Sequence, residues 1–577
     1  MLDSKRALLG AFILCALAFS LQIIPRWWGD STVIDEEWDL TAAYNYWRNG
    51  DVWTDLGTSA PAALCALPLL PMDLFPPSPE RKGYPEKSYW FLFMDNGAKL
   101  PSITLWSRSV NWLVGLAVGF LLYRLLKGGG LAEGIAGLLL WAFEPTLLAY
   151  GGTAQADMQV AFWFFLAVLA FARVQDSPRP LPFLAAGFIG GLAAAGRYNG
   201  LFILPVVAAL EVLGWRRLVA HRGDLAARAL KSLIWLAGFA LAIALCYIPG
   251  TLAGPGHSSP FSLYAHYLSG YLDQQPGITG TGTFFAGKFW ERGSYLNFPY
   301  HFFYKTTLPF FALLLAGVGG ALTRKINLPN WVWVPPLVYL GLFMLSVKSM
   351  TLRHALPAFP FLVLLASRGW SWLWVSSRRW LGAAGGACLP LPLLAWHALS
   401  ALLSFPGHLA YANELMPAWD KPTHLYSFDW DFGQDMKRLA ELGKNRGWEK
   451  VKLMTSQRTD PHFYGLDWDP WTAKDLEAPQ AGTVYILDPA LLYDDMMYSD
   501  LFRFQSRWVG RLKPTGMVGD TLYYYEIPGD ARLNPKDDSK PLNSFHYFVN
   551  GIPPYKPGGA AAASSAPDSI SNLSDFR

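Results

Sequence analysis

Charge is scarce in this chain. Only 16% of its 577 residues are Asp, Glu, Lys or Arg, against about a quarter in soluble domains, which excludes a surface that faces water all round. Cysteine is scarce too. Of the four, Cys15, Cys246 and Cys388 lie in apolar runs and Cys65 stands alone in a loop, so a disulfide framework is excluded. A net charge of +4 is too small for an electrostatic footprint on nucleic acid. P-loop, Rossmann glycine fingerprint, HExxH and GxSxG patterns are all missing, which argues against a nucleotide-driven pump and a standard hydrolase. No internal repeat or heptad run is present either. What abounds is apolar and aromatic: 52% hydrophobic residues and 26 Trp, the rings that collect at membrane–water interfaces.

A spanning helix needs about 20 mostly apolar residues. Eleven candidate runs lie near 7–25, 104–124, 131–149, 157–174, 182–196, 199–214, 231–250, 302–322, 331–347, 354–368 and 380–403. The first is followed by Pro25-Arg26-Trp27-Trp28 instead of a small-residue cleavage site, so it reads as a retained anchor. Orientation follows from Lys and Arg in short loops. Lys5 and Arg6, Arg124 and Lys127, Arg173 and Arg179, Arg216 to Lys231, Arg324 and Lys325, and Arg368 to Arg379 all fall on one side if the N-terminus is cytoplasmic. The expectation is therefore an all-α polytopic cell-membrane protein spanning 1–404, with external loops at 26–103 and 251–300. A small external α/β domain follows at 405–530, then a partly disordered tail at 531–577. That domain should carry a polar helix over 433–445 stopped by Gly447, and strands over 450–455, 483–487 and 521–527.

Several ionisable residues gather at the external ends of spans. They are Asp35-Glu36-Glu37 after the first run, Asp157 opening the fourth, Arg197 in the turn after the fifth, Lys305 in the eighth, and Arg353-His354 opening the tenth. Charges at a membrane boundary are costly and mark function by default. Singly, each base is as readily a snorkelling residue, and the acids a solvated loop face. Their convergence on one side favours a pocket. A cation about 4 Å from a phosphate oxygen contributes about 4 kcal/mol at an effective dielectric near 20, and a carboxylate within hydrogen-bond reach of a hydroxyl can act as general base.

In order and placement, five segments resemble the GT-C membrane glycosyltransferases, in the branch of protein O-mannosyltransferases, aminoarabinose transferases and bacterial phospholipid carrier-dependent glycosyltransferases. These are Val33-Ile34-Asp35-Glu36-Glu37-Trp38 through Asp51, Glu144-Pro145 through Asp157, Trp290 through Pro309, Leu352-Arg353-His354-Ala355-Leu356-Pro357, and Tyr411-Ala412-Asn413-Glu414 with Asp429-Trp430-Asp431-Phe432-Gly433-Gln434-Asp435. The resemblance implies a polyprenyl-phosphate-linked sugar as donor, inversion at the sugar carbon, and a hydroxyl acceptor on protein or lipid. It makes Asp35 the base, Glu36 a metal or acceptor contact, and Asp157 the second acid. Lys305, Arg353, Arg197 and His354 become ligands of the donor phosphate. The cofactor requirement stays open, a divalent metal included. One departure stands out: Thr58-Ser59-Ala60-Pro61 replaces the charged or His residue that often precedes a Pro-Pro pair there.

The competing readings are a polytopic transporter and a non-catalytic member of the same fold. Transporters usually carry repeats and broken helices at the bilayer midplane. Here the polar residues lie at one boundary and no repeat is found.

Overall fold

The computed structural model describes residues 2–50, 53–54, 57–58, 63–78, 80–81, 84–215, 225–253, 283–290, 293–345, 351–425, 429–493 and 508–529. The 531–577 tail, the whole of the 254–282 segment and Ser59 to Pro61 lie outside them. The chain is mainly helical, with a small mixed sheet near its C-terminal end.

The helices used below are α1 (Leu2–Ile23), α2 (Ile34–Asn49), α3 (Leu100–Leu126), α4 (Leu131–Ala142), α5 (Pro145–Gly151), α6 (Ala156–Val174), α7 (Leu181–Gly196), α8 (Ile203–Trp215), α9 (Leu225–Ala253), α10 (Asn297–Lys305), α11 (Leu308–Leu322), α12 (Asn330–Met344), α13 (Phe359–Gly385) and α14 (Pro390–Leu403). Each of the eleven apolar runs falls on helix. Among the described residues, five helical stretches are long and apolar enough to cross a membrane, or up to seven if two bent pairs each count as one span. The other four apolar helices are shorter, at 10–17 residues.

Proline sets both bends. α4 and α5 meet at 53° where Glu144 precedes Pro145; a residue before proline is pushed out of the helical region, and Glu144 has φ −75 and ψ 113. α10 and α11 meet at 115° at Thr306-Thr307, where the Thr307 side chain caps the Phe310 N–H and Pro309 opens the next helix. Two expected boundaries also move. The tenth run opens in a 3-10 turn, Leu352–Ala358, and continues in α13 to Gly385. The eleventh therefore begins only at Pro390, where proline can again start a helix but not continue one.

α7 and α9 pack backbone to backbone. A Cβ on Gly187 would lie 1.9 Å from the Trp235 carbonyl oxygen, and one on Gly238 2.1 Å from that of Leu184, so only glycine permits this approach, as at small-residue helix contacts in membranes. At the end of the bundle where bases cluster, Arg228 pairs with Glu211 (2.6 Å), Arg368 with Glu133 (3.2 Å), and Lys231 Nζ donates to the Ser177 carbonyl (2.7 Å).

Past α14, helix α15 (Met436–Arg446) ends at Gly447 in the left-handed region (φ 65), the usual glycine stop. Strands β1 (Val451–Met454), β2 (Asp469–Pro470), β3 (Val484–Leu487), β4 (Gly516–Val518) and β5 (Leu522–Glu526) form a sheet in the order β2-β1-β3-β5-β4. β1 runs parallel to β2 and β3, and β5 antiparallel to β3 and β4. Side chains alternate between the two faces, as strand geometry dictates. Val451, Leu453, Ile486 and Tyr524 pack with Met436 and Leu439 of α15, whereas Met454, Tyr485, Leu487 and Tyr525 pack with Trp471 and Leu491. α15 starts three residues later than the sequence predicts, because Gly433-Gln434-Asp435 is held by contacts to the bundle.

Those contacts dock the domain on the segment between α1 and α2. Ser31 N–H donates to the Gln434 carbonyl (3.1 Å) and Ile34 N–H to that of Phe432 (3.0 Å). Ser31 Oγ donates to the Gly433 carbonyl (2.6 Å), and Thr459 Oγ1 to the Thr32 carbonyl (2.9 Å). Arg438 pairs with Asp30 and Asp435. The Phe463 ring sits 4.8 Å from Phe93 and packs against a second apolar cluster built from residues between 40 and 103 with Ala154 and Ala156.

Candidate active site

The site begins with α2, a helix inside the long loop that follows α1. Val33 is its N-cap, and the Glu36 side chain reaches back to the Val33 N–H (3.3 Å). Asp35, Glu36 and Glu37 fill the first turn, where the helix dipole favours negative charge. Gly50, with φ 67, ends it. Being helical, α2 puts Asp35 and Asp39 on one face, one turn apart, and sends Glu36 elsewhere.

Asp35 forms an ion pair with Arg353, and both side chains stay partly open, at 14% and 12% exposure. The Arg353 guanidinium lies over the Phe432 ring, 5.5 Å from its centroid. One turn along α2, Asp39 Oδ2 accepts the Ala156 N–H (2.8 Å) and faces Arg197 Nη2 (3.4 Å). Arg197 Nη1 faces Asp157 Oδ1 (3.4 Å), and His354 Nδ1 lies 3.9 Å from that same oxygen. Backbone groups fix the turn that carries Arg353 and His354: Tyr339 Oη and Asn199 Nδ2 donate to the His354 carbonyl (2.7 and 3.2 Å), and Leu352 N–H donates to Asp429 Oδ1 (2.7 Å). Thus Asp35, Asp157, Arg197, Arg353 and His354, drawn from four distant stretches, meet at one end of the bundle.

Glu36 is not in this group. Both of its oxygens are engaged by Arg108 of α3, Oε1 with Nε (2.8 Å) and Oε2 with Nη2 (2.7 Å), and Oε1 also accepts the Ala154 N–H (2.8 Å). With the Val33 N–H on Oε2, four protein donors surround a carboxylate that is 0% exposed. That donor set leaves no lone pair for a metal ion, and among the described residues no group of three or more His, Cys, Asp and Glu side chains is arranged to hold one.

Lys305 lies to one side. It is buried at the elbow between α10 and α11, with Nζ donating to the carbonyls of Leu409 (2.8 Å) and Asp429 (2.5 Å). It lines a small pocket with Tyr150, Leu352, His408 and Tyr411. Lys305 meets the Arg353 turn through Asp429, which also binds the Leu352 N–H, and across the pocket it shares with Leu352.

Glu37 faces the C-terminal domain. Its Oε1 accepts from Thr32 Oγ1 (3.0 Å) and lies 2.8 Å from Thr459 Oγ1, whose single proton is shared with the Thr32 carbonyl, and burial pushes the carboxyl up to about 7 against the pull of those hydrogen bonds and of Arg458. Burial likewise raises Asp39, opposed by Arg197. Arg458 stacks over Trp38, 4.2 Å from the ring, and its own burial lowers it to about 10.

No protein-family model and no curated protein matches the chain. Solved structures similar to it include ArnT from Cupriavidus metallidurans, once bound to undecaprenyl phosphate (14% identity, TM-score 0.39) and once in the apo state (15% identity, TM-score 0.39), each alignment covering 89% of this chain and 97% of the other. Another is the archaeal oligosaccharyltransferase AglB from Archaeoglobus fulgidus, in complex with an inhibitory peptide and a dolichol-phosphate (12% identity, TM-score 0.45, covering 94% of this chain and 76% of the other). The likeness is one of fold and assigns no residue a role.

Sequence reading missed three participants. Asp39 was findable: an acid four residues after Asp35 becomes its neighbour once the segment is recognised as helix. Arg108 and Phe432 carried no local signal, because their importance lies in contacts across 72 and about 80 residues or more of chain.

Proposed function

We propose that the chain is a membrane glycosyltransferase of the GT-C kind. It moves a sugar from a polyprenyl-phosphate donor to a hydroxyl on a protein or lipid, with inversion, on the external face. The observation that carries this reading is the open Asp35–Arg353 pair beside the Asp157–Arg197–Asp39 cluster. A base and two guanidinium groups at the mouth of a helical bundle are what transfer from a lipid phosphate needs.

In this mechanism Asp35 takes the proton of the acceptor hydroxyl as its oxygen attacks the anomeric carbon. The bond from that carbon to the phosphate oxygen breaks on the opposite side, so configuration inverts. Arg353, with Arg197 and His354, stabilises the charge left on the phosphate. Such preorganised cations act where charge develops, in a site drier than bulk water. Asp39 and Asp157 hold Arg197 between them.

The test is transfer of labelled sugar by the purified chain from a panel of polyprenyl-phosphate sugars to hydroxyl acceptors in reconstituted membranes. Transfer that depends on Asp35 supports the reading. Donor binding without transfer by any pair would replace it with a non-catalytic binder, and vectorial uptake with a transporter. The face is tested by membrane-impermeant labelling: a cysteine introduced near Gly223 should stay protected from outside, and one near Glu441 should react.

A further inference from the structure

The same guanidinium is wanted by two groups. In the structure Arg353 is paired with Asp35, while the reading above, on which this inference rests, gives it to the donor phosphate and gives Asp35 a hydroxyl. An N–H that donates to the carboxylate cannot also serve the phosphate. A phosphate offers more oxygens and more negative charge to the guanidinium fork than a carboxylate does.

The surroundings make this pair the soft element of the site. The backbone is fixed on both sides of it: Leu352 N–H is bonded to Asp429 Oδ1 (2.7 Å), and the His354 carbonyl accepts from Tyr339 and Asn199. The Phe432 ring under the guanidinium is itself tied to the start of α2, because the Phe432 carbonyl accepts the Ile34 N–H (3.0 Å). A ring face attracts the cation whichever anion it meets, so it can hold Arg353 in place while the partner changes. The side chains are open enough to be reached, unlike those of Glu36 and Arg108, which are 0% and 1% exposed.

We propose that Arg353 is a donor-sensing latch on Asp35: in the free protein it occupies the carboxylate, and a lipid phosphate that draws the guanidinium away releases the carboxylate to take the acceptor proton. Arg353 is then both phosphate ligand and positioning residue. Binding is ordered, donor before acceptor, and the base is withheld from stray hydroxyls, water included, until a phosphate is in place. Phe432 is the pivot on which the guanidinium turns.

The experiment is infrared difference spectroscopy on the full-length protein, labelled with carboxyl-13C aspartate and titrated with undecaprenyl phosphate or with neutral undecaprenol. The Asp35 band is assigned by its loss in Asp35→Asn. The phosphate should shift that carboxylate stretch, half-maximally at the lipid concentration that half-saturates binding, and undecaprenol should not. In Arg353→Gln the band should already lie at the released position and not move further, with lipid-phosphate affinity down at least about tenfold. Arg353→Lys keeps the charge for folding and should fall between. Phosphate binding that leaves the Asp35 band unmoved overturns the latch while leaving sugar transfer standing; failure of the lipid phosphate to bind overturns both. A shift in a protein that transfers no sugar upholds the latch and sinks the glycosyltransferase reading instead.

Discussion

Asp35 and Glu36 are neighbours in one helical turn, and each meets an arginine from a distant part of the chain. Their situations are otherwise opposite. The Glu36–Arg108 clasp is sealed: it is bidentate, near 0% exposed, and completed by the N–H groups of Val33 and Ala154. The Asp35–Arg353 pair is open at about an eighth exposure and rests on an aromatic ring instead of a cage of donors. A buried pair contributes little net stability, since desolvation offsets attraction, yet breaking it strands a charge. The clasp therefore specifies where α2 sits on α3, and the open pair keeps its charges available to a ligand. Identical chemistry thus locates a helix in one place and, in the proposed mechanism, serves reaction in the other, and burial sets the two pairs apart.

The comparison can be broken most sharply at Asp35. Asp35→Asn should lower sugar transfer by about 10²–10⁴-fold, the usual contribution of a positioned base, while leaving the thermal midpoint close to that of the parent. Transfer rate and melting measured on the same preparation check both halves. If Asp35→Asn instead melts early and keeps its activity per folded molecule, the roles of the two pairs are exchanged.

The clasp should give the mirror result. Arg108→Ala leaves Glu36 buried and uncompensated, at a cost of about 3–5 kcal/mol, and should appear as a lower melting midpoint and poor yield. Replacing both partners with Met should recover much of that loss. A double variant that is worse than Arg108→Ala would mean the clasp does more than locate α2.

Glu37 sharpens the contrast through pH. Its carboxyl is pushed up to about 7 in the folded protein from an ordinary value near 4.3, so the folded state holds a proton that the unfolded chain has lost. By linkage, the contribution is full below about pH 4.3, declines as pH rises, and levels off above about 7. The range is worth about 4 kcal/mol at most. Docking of the C-terminal domain through Thr459 should weaken over that window, read as a falling melting midpoint. Glu37→Gln should flatten the slope.

Arg353→Lys should produce the smallest change, lowering donor affinity about tenfold with no loss of fold. A point charge keeps the attraction but not the planar fork. Unchanged donor affinity in both Arg353→Lys and Arg353→Ala would remove this side chain from phosphate binding.

Some of this was written in the sequence alone. The apolar runs set the helices, because a helix in lipid must satisfy its own backbone and be about 20 residues long. Gly447 marked the end of α15, and the strand-like segments at 450–455, 483–487 and 521–527 marked three strands of the sheet. These are local rules, read within a few residues. Tertiary structure decided the rest. It folded residues 34–49 into a helix whose first turn divides two acids between a sealed and an open partner. It brought Arg108, Arg197, Arg353 and Phe432 to that turn from stretches about 70 to about 400 residues away. It also spent Lys305 on the carbonyls of Leu409 and Asp429. Which oxygen a cation meets, and how much water reaches the pair, depends on distance and burial across the whole chain, and neither quantity exists until the chain is packed.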